Sequence, residues 1–362
     1  MASDRGRCKM RQNKRMPVGV DDFKDLRGRY YFVDKTRFIQ ELIDGHSKVT
    51  LITRPRRFGK TLTMSMLYYF FANENAEENR KLFEGCAIAE AGEKYMAEQG
   101  TRPVIFLTLK DVKATSYASM VELMANILRE MYRSFVFLLD SDSLIEEEKK
   151  EFRQILGKEA SEADMQSAIK VLSQHLQRHY RRQALLLIDE YDAPIQAAWE
   201  YGYYDKAIIF FRNLLGAALK TNPTLDFAVL TGILRISKES IFSALNNLDV
   251  SSVLGGSYAD MLGFTPEEVA RIATDWGKPE KLGEIREWYD GYNFSGHEIY
   301  NPWSVVNYFQ SGCKAKAYWV NTSGNSILKT MLLRVDEKRR SRPYGPDAGS
   351  HGAFRAARRA DL

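Results

Sequence analysis

The sequence predicts an α/β fold: a parallel sheet flanked by helices, followed by a smaller, mainly helical unit. Three observations carry this. Short apolar runs alternate with longer stretches of helical periodicity, the order that builds a parallel sheet covered by helices. The short runs show no polar alternation, as expected of strands buried on both faces. Two of them end in residues suited to phosphate chemistry: VTLIT leads into RPRRFGKTLT (residues 54–63), and ALLLI leads into DEYD.

The strands are expected at residues 49–53, 104–109, 184–188 and 227–231. Between them, Met120, Met124, Ile127, Leu128 and Met131 recur at helical spacing, as do Met165, Ile169, Leu172 and Leu176. These methionines read as gap-filling core. Ser161 with Asp164 three residues on is a capping-box-like start for the second helix. After about residue 265 the strands are expected to stop, giving a core over 16–265 and a helical domain over 266–333. Trp288, Tyr289, Trp303 and Trp319 should pack that domain, and Asn301 before Pro302 should open a helix within it. Residues 334–362 are rich in Arg, Gly, Pro and Ala with almost no aliphatics, a composition expected to be disordered.

With 44% hydrophobic and 27% charged residues in 362, the chain can bury a large core. The longest apolar run, residues 66–72, spans seven residues, against the ~20 needed to cross a bilayer. The basic N-terminus has no apolar stretch behind it, so it is not read as a secretory signal, and a cytoplasmic location is expected. Cys8, Cys86 and Cys313 have no metal or disulfide spacing. The net charge of +5 lies in the ends. Residues 1–15 carry six Lys or Arg against one Asp, residues 334–362 carry eight against four acids, and the segment between is net acidic. Nucleic-acid contact would therefore run through the tails, a weak reading.

The loop after the first strand follows the G-x-x-x-x-G-K-[ST] pattern except that Arg54 replaces the first glycine. A non-glycine can stand there only if its φ is negative. The expected nucleotide-contacting set is Arg56, Arg57, Phe58, Gly59, Lys60, Thr61 and Leu62. The main-chain N–H groups of Arg57, Phe58 and Gly59 would meet phosphate, Lys60 would reach the β- and γ-phosphates, and the Thr61 hydroxyl would coordinate Mg²⁺. Of Arg56 and Arg57, at least one is expected near the nucleotide. In ALLLIDEYD, Asp189 would bind the metal and Glu190 would orient and deprotonate an attacking water, while Asp192 would cap the next helix. His175 and His179 have the i, i+4 spacing of a zinc pair, but Leu176 stands where HExxH needs Glu, so a solvated helix face is expected.

TRPRRFGKT and LLIDEYDAPI, with GVDDFKDLRGRYYFVDKTRFIQELI, TGILRISKESIFSALNNL, WYDGYNF, YNPWS and YWVNTSGN, resemble the bacterial AAA-ATPase-like family from about residue 17 to 333. That family commonly writes its loop RPRRFGKT, so the resemblance makes Arg54 a family feature. It implies a P-loop NTPase core with sheet order 5-1-4-3-2, the fourth strand lying between the two motif strands. The apolar run ending in Thr231 fits a polar sensor there, and Arg235 is a candidate charge stabiliser; either could instead be a structural hydrogen-bonding residue. The fifth strand is expected within residues 252–262. Members often carry a C-terminal PD-(D/E)xK-type nuclease domain. Here Asp336, Glu337 and Lys338 match such a triad in letters only, and nuclease activity is not expected of this chain.

Mg²⁺-dependent ATP hydrolysis coupled to conformational change is the first functional expectation. Its alternatives are a non-hydrolysing nucleotide switch or scaffold acting on a protein partner, and a nucleic-acid-associated ATPase. The resemblance also leaves room for oligomers that share an arginine across subunits.

Overall fold

The structure is a computed structural model that describes residues 15–234, 242, 248–252 and 257–318. Five parallel strands form the central sheet: β1 (Val49–Thr53), β2 (Val104–Thr108), β3 (Ala184–Asp189), β4 (Leu225–Gly232) and β5 (Leu248–Ser251). Their order is β2-β3-β4-β1-β5, which from the β5 edge is 5-1-4-3-2. The register aligns Ile52 with Thr231 on one side and with Ser251 on the other, and Thr108 with Asp189. The carboxyl ends of β1, β3, β4 and β5 therefore form one rim, the usual place for a ligand in an open α/β sheet.

Every residue of β1 and β3 is buried, because helices cover both faces. Leu186 and Ile188 face a cluster with Met120, Met124, Leu128, Met165, Leu172 and Phe210. Leu185 and Leu187 face the opposite cluster with Phe70, Phe71, Phe38 and Phe23. The methionine-rich helices, α4 (Tyr117–Arg133) and α6 (Glu162–Tyr180), thus lie on one side. The helix that follows the loop, α3 (Lys60–Phe71), lies on the other together with α1 (Phe23–Arg29) and α2 (Arg37–Gly45). Ser161 and Asp164 form the reciprocal cap expected at the start of α6. Between α4 and α6 runs α5 (Glu146–Gly157), and beyond β3 come α7 (Ala193–Glu200) and α8 (Tyr204–Leu219).

Two expectations about strands are corrected. The fifth strand ends at Ser251, before the window 252–262, and its residues are half-polar because it is a sheet edge beside β1. Nor do strands stop at residue 265: β6 (Asp290–Phe294) and β7 (His297–Tyr300) form an antiparallel hairpin. Its turn uses Ser295 (φ 53°) and Gly296 (φ 90°), two left-handed residues that match the twist of a tight hairpin. Around it lie α9 (Pro266–Asp275), α10 (Leu282–Tyr289) and α11 (Pro302–Gln310), the last capped by the Asn301 side chain, which accepts from Ser304 N–H. Among the aromatics expected to pack this unit, Tyr289 is buried and Trp303 partly so, but Trp288 is 42% exposed, because Ile285 and Tyr289 present the inward face of α10. Trp319 and the 334–362 tail lie outside the described residues.

The C-terminal unit shares its core with the N-terminal segment. Met16 and Tyr31 pack among Val269, Ile272, Val305 and Phe309. The Tyr31 hydroxyl donates to Asp275 at 2.6 Å, and the half-buried Lys35 ammonium donates to Glu268 at 2.6 Å and to the Asp260 carbonyl at 2.9 Å. Among the described residues no helix is long and apolar enough to cross a membrane.

Candidate functional site

β1 hands over to the loop at Arg54, whose N–H donates to the Gly232 carbonyl at 3.1 Å and continues the β1–β4 ladder. The turn is made further along. Arg54 keeps a negative φ, and the left-handed positions are Arg57 (φ 69°) and Gly59 (φ 78°). Gly59 adopts this at little cost, whereas a residue with a Cβ gives up roughly 1–2 kcal/mol there. The Arg54 side chain is fully buried. Its guanidinium donates to the carbonyls of Thr53 (3.0 Å) and Tyr258 (3.1 Å) and to Ser251 Oγ (3.0 Å), and lies 4.8 Å from the Phe294 ring centroid. Burial lowers its pKa to about 10, so it stays charged at neutral pH.

Lys60 opens α3, a helix with almost no polar face. Its ammonium is buried and donates to the carbonyls of Arg54 and Pro55, both at 3.1 Å. Burial lowers its pKa, against the opposing pull of Glu190, Asp192 and Asp189. The next residue, Thr61, donates its hydroxyl to Asp189 Oδ2 at 2.6 Å. Asp189 is fully buried. Its other oxygen accepts from the Thr231 hydroxyl and from the Glu190 N–H at 3.1 Å. Glu190 stands in the left-handed region (φ 50°), a strained position of the kind that clusters at functional sites. It lines a cavity of about 440 Å³ together with Arg56 to Thr63. Lys110 and Lys113, from the loop after β2, line the same cavity. Apolar residues also wall it: Val20 and Phe32 from the N-terminal segment, and Leu262, Phe264, Trp303 and Val306 from the C-terminal part of the chain.

The sheet thus brings Lys60, Thr61, Asp189, Glu190 and Thr231 together, while Arg235 lies outside the described residues. Arg56, Arg57, Phe58, Gly59 and Leu62 all line the cavity, and the side chains of Arg57 and Phe58 also meet aromatic rings of the C-terminal unit. Arg57 lies 4.2 Å over the Trp303 ring, and Phe58 is buried against Tyr292 (4.9 Å) and Phe294 (5.6 Å).

The Asp192 side chain makes no helix-cap bond, contrary to the sequence expectation. It accepts instead from Ile233 N–H (3.0 Å), Leu234 N–H (2.7 Å) and Gln196 (2.7 Å), tying down the chain that leaves β4. Gly232 permits this contact, since a Cβ there would come within 2.6–2.8 Å of Tyr191 and Asp192. Burial raises the Asp192 pKa. His175 is a second correction. It is buried rather than solvated, because the α5 residue Phe152 stacks on it, and its pKa falls to about 4 through burial. Among the described residues no group of three or more His, Cys, Asp or Glu is arranged to hold a metal. The Thr61 hydroxyl and the Asp189 carboxylate form an all-oxygen pair suited to Mg²⁺, which takes one or two protein ligands and completes its shell with phosphate oxygens and water.

Sequence reasoning missed Arg54 as a buried pin and the hairpin that meets the loop. The Ser-Gly pair between DGYNF and HEIY was a turn signal that could have revealed the hairpin. The Arg54 contacts had no local signal.

A parallel α/β sheet with a loop and buried helix after its first strand, facing an acid pair after its third, defines a class of protein. The chain belongs to the AAA-ATPase-like family described as "Predicted AAA-ATPase", whose model matches residues 17–242. It is also similar to an uncharacterized protein in the vnfD 5' region of Azotobacter chroococcum mcd 1, with 28% identity over 326 residues. That alignment covers 88% of this chain and 56% of the relative, so the chain spans a little over half the relative's length.

Proposed function

We propose that this chain is a P-loop NTPase that binds ATP with Mg²⁺ and hydrolyses it. The observation that carries the reading is the Thr61–Asp189 hydrogen bond at 2.6 Å. It places the hydroxyl that opens a buried helix against a carboxylate at the end of β3, with Thr231 of β4 on the same carboxylate.

In this reading the main-chain N–H groups of Arg57, Phe58 and Gly59 and the N-terminus of α3 receive the phosphates. Lys60 exchanges its bonds to the Arg54 and Pro55 carbonyls for the β- and γ-phosphate oxygens. Thr61 and Asp189 would hold Mg²⁺, which would supply positive charge to offset that developing on those oxygens. Glu190, at the cavity wall, takes the proton of the water that attacks the γ-phosphorus as the bond to the β-phosphate oxygen breaks, leaving ADP and inorganic phosphate. Thr231 orients the acid pair, and Arg235 is a candidate to stabilise charge on the leaving phosphate. The apolar residues lining the cavity suit a base, and the family assignment favours adenine.

The test is steady-state phosphate release from MgATP by the wild-type chain and by Glu190→Gln. Turnover that disappears in the variant while ATP still binds supports hydrolysis with Glu190 as base. Tight ATP binding without turnover in either protein would replace hydrolysis with a nucleotide-dependent switch acting on a partner.

A further inference from the structure

Three loop side chains, Arg54, Arg57 and Phe58, converge on the C-terminal unit. Phe58 fills a pocket made by Phe294, Ile299 and Ala259 with Tyr292 at its edge. Arg57 lies over Trp303, and Arg54 over Phe294. The chain entering this unit is fitted equally closely: Gly263 has φ 93°, and a Cβ there would stand 2.3 Å from Ile299 and 3.2 Å from Phe58.

Arg57 holds a left-handed conformation that its Cβ disfavours, and such a conformation persists where surroundings over-determine it. Those surroundings are the Trp303 ring on Arg57 itself and the aromatic seat of the adjacent Phe58. The same backbone stretch lines the cavity. The loop's shape is therefore set partly by residues more than 200 positions away, on the hairpin and α11.

We propose that Phe294 and Trp303 are positioning residues for the loop, holding Phe58 and Arg57 in the geometry that receives a nucleoside di- or triphosphate. Nucleotide binding and seating of the C-terminal unit are then one linked equilibrium. This rests on the nucleotide-binding reading above. Linkage makes it reciprocal: a seated unit tightens nucleotide binding, and bound nucleotide holds the unit in place.

The experiment measures the Kd of the full chain for a fluorescent ADP analogue with Mg²⁺. The proteins are wild type, Trp303→Ala, Trp303→Tyr, and Trp303→Ala combined with Arg57→Gly. Trp303→Ala should weaken binding about tenfold or more, and Trp303→Tyr, which keeps an aromatic face, should stay within about threefold of wild type. Arg57→Gly should restore binding in the Trp303→Ala background, because glycine takes the left-handed conformation unaided. A purely structural role for Trp303 would not be rescued that way. In parallel, ADP should slow amide exchange at residues 290–300 in wild type and not in Lys60→Ala. Trp303→Ala binding ADP as tightly as wild type, or weak binding that Arg57→Gly leaves unrepaired, overturns the inference while sparing the nucleotide reading. A folded wild-type chain with no ADP binding at millimolar concentration overturns both.

Discussion

Thr61 and Asp189 stand 128 residues apart in sequence and share a 2.6 Å hydrogen bond at the rim of the sheet. The bond exists because β1 and β3 both flank β4 and end at the same level. Asp189 thereby becomes the common acceptor for Thr61, Thr231 and the Glu190 N–H. Replacing it with alanine removes the shared acceptor of three donors, of which Thr231 is buried and Thr61 and Glu190 are half-buried. Asp189→Ala should lower unfolding stability by about 2–4 kcal/mol in denaturant titrations. Mg²⁺-dependent phosphate release should fall about 100-fold or more.

Arg54→Gly restores the glycine of the general loop pattern, yet it should weaken the protein. The substitution removes hydrogen bonds to Ser251 and to the Thr53 and Tyr258 carbonyls, and empties the space beside Phe294. The expected loss is about 2–4 kcal/mol, read as a lower thermal midpoint. A variant as stable as wild type would show that the buried guanidinium is not what holds β1, β5 and the hairpin together.

Asp192→Ala frees the Ile233 and Leu234 N–H groups that fix the exit of β4. Stability should drop by about 1–3 kcal/mol. The rate of phosphate release should fall more than the affinity for ATP, because Thr231, just upstream, loses its fixed placement while the loop keeps its own. Equal changes in both quantities would place Asp192 outside the chemistry.

His175 gives the fold an acid-sensitive point. Burial holds its folded pKa at about 4, below the usual 6.5, with Glu148 pulling the other way. Above pH 6.5 the imidazole is neutral in folded and unfolded chains and costs nothing. As pH falls from 6.5 to about 4 the unfolded chain takes up the proton first, so stability declines, by at most ~3 kcal/mol. His175→Leu should flatten the pH dependence of the unfolding midpoint over that window, and an unchanged slope would assign it to other groups.

Much of this was legible in the sequence, and for identifiable reasons. Strands β1 and β3 are buried throughout and β2 and β4 largely so, so their apolar runs stood out, and the loop and acid pair could be placed because each directly follows such a run. β5 was misplaced because LDVS is a half-polar edge strand. The hairpin was read as helical because Tyr292 and Phe294, which both face Phe58, are too few to show a strand's period of two in so short a stretch. The side-chain paths of Arg54, Arg57 and Phe58 were unreadable, since their partners lie about 200 residues or more downstream. Asp192 sits where a helix cap belongs, and only the return of β4 beside it gives it other donors.

The bond from Tyr31 to Asp275 closes the molecule across 244 residues. A ribosome adding about 5–20 residues per second takes on the order of 10–50 s to supply the second partner after the first has emerged. Through that interval the segment carrying Met16 and Tyr31 waits with its apolar side uncovered. The rim of the sheet is synthesised during the same wait, so the aromatic seat for Phe58 arrives only after the loop, β3 and β4 have been made. In the order of birth, the loop of residues 54–63 precedes the aromatic side chains against which it packs.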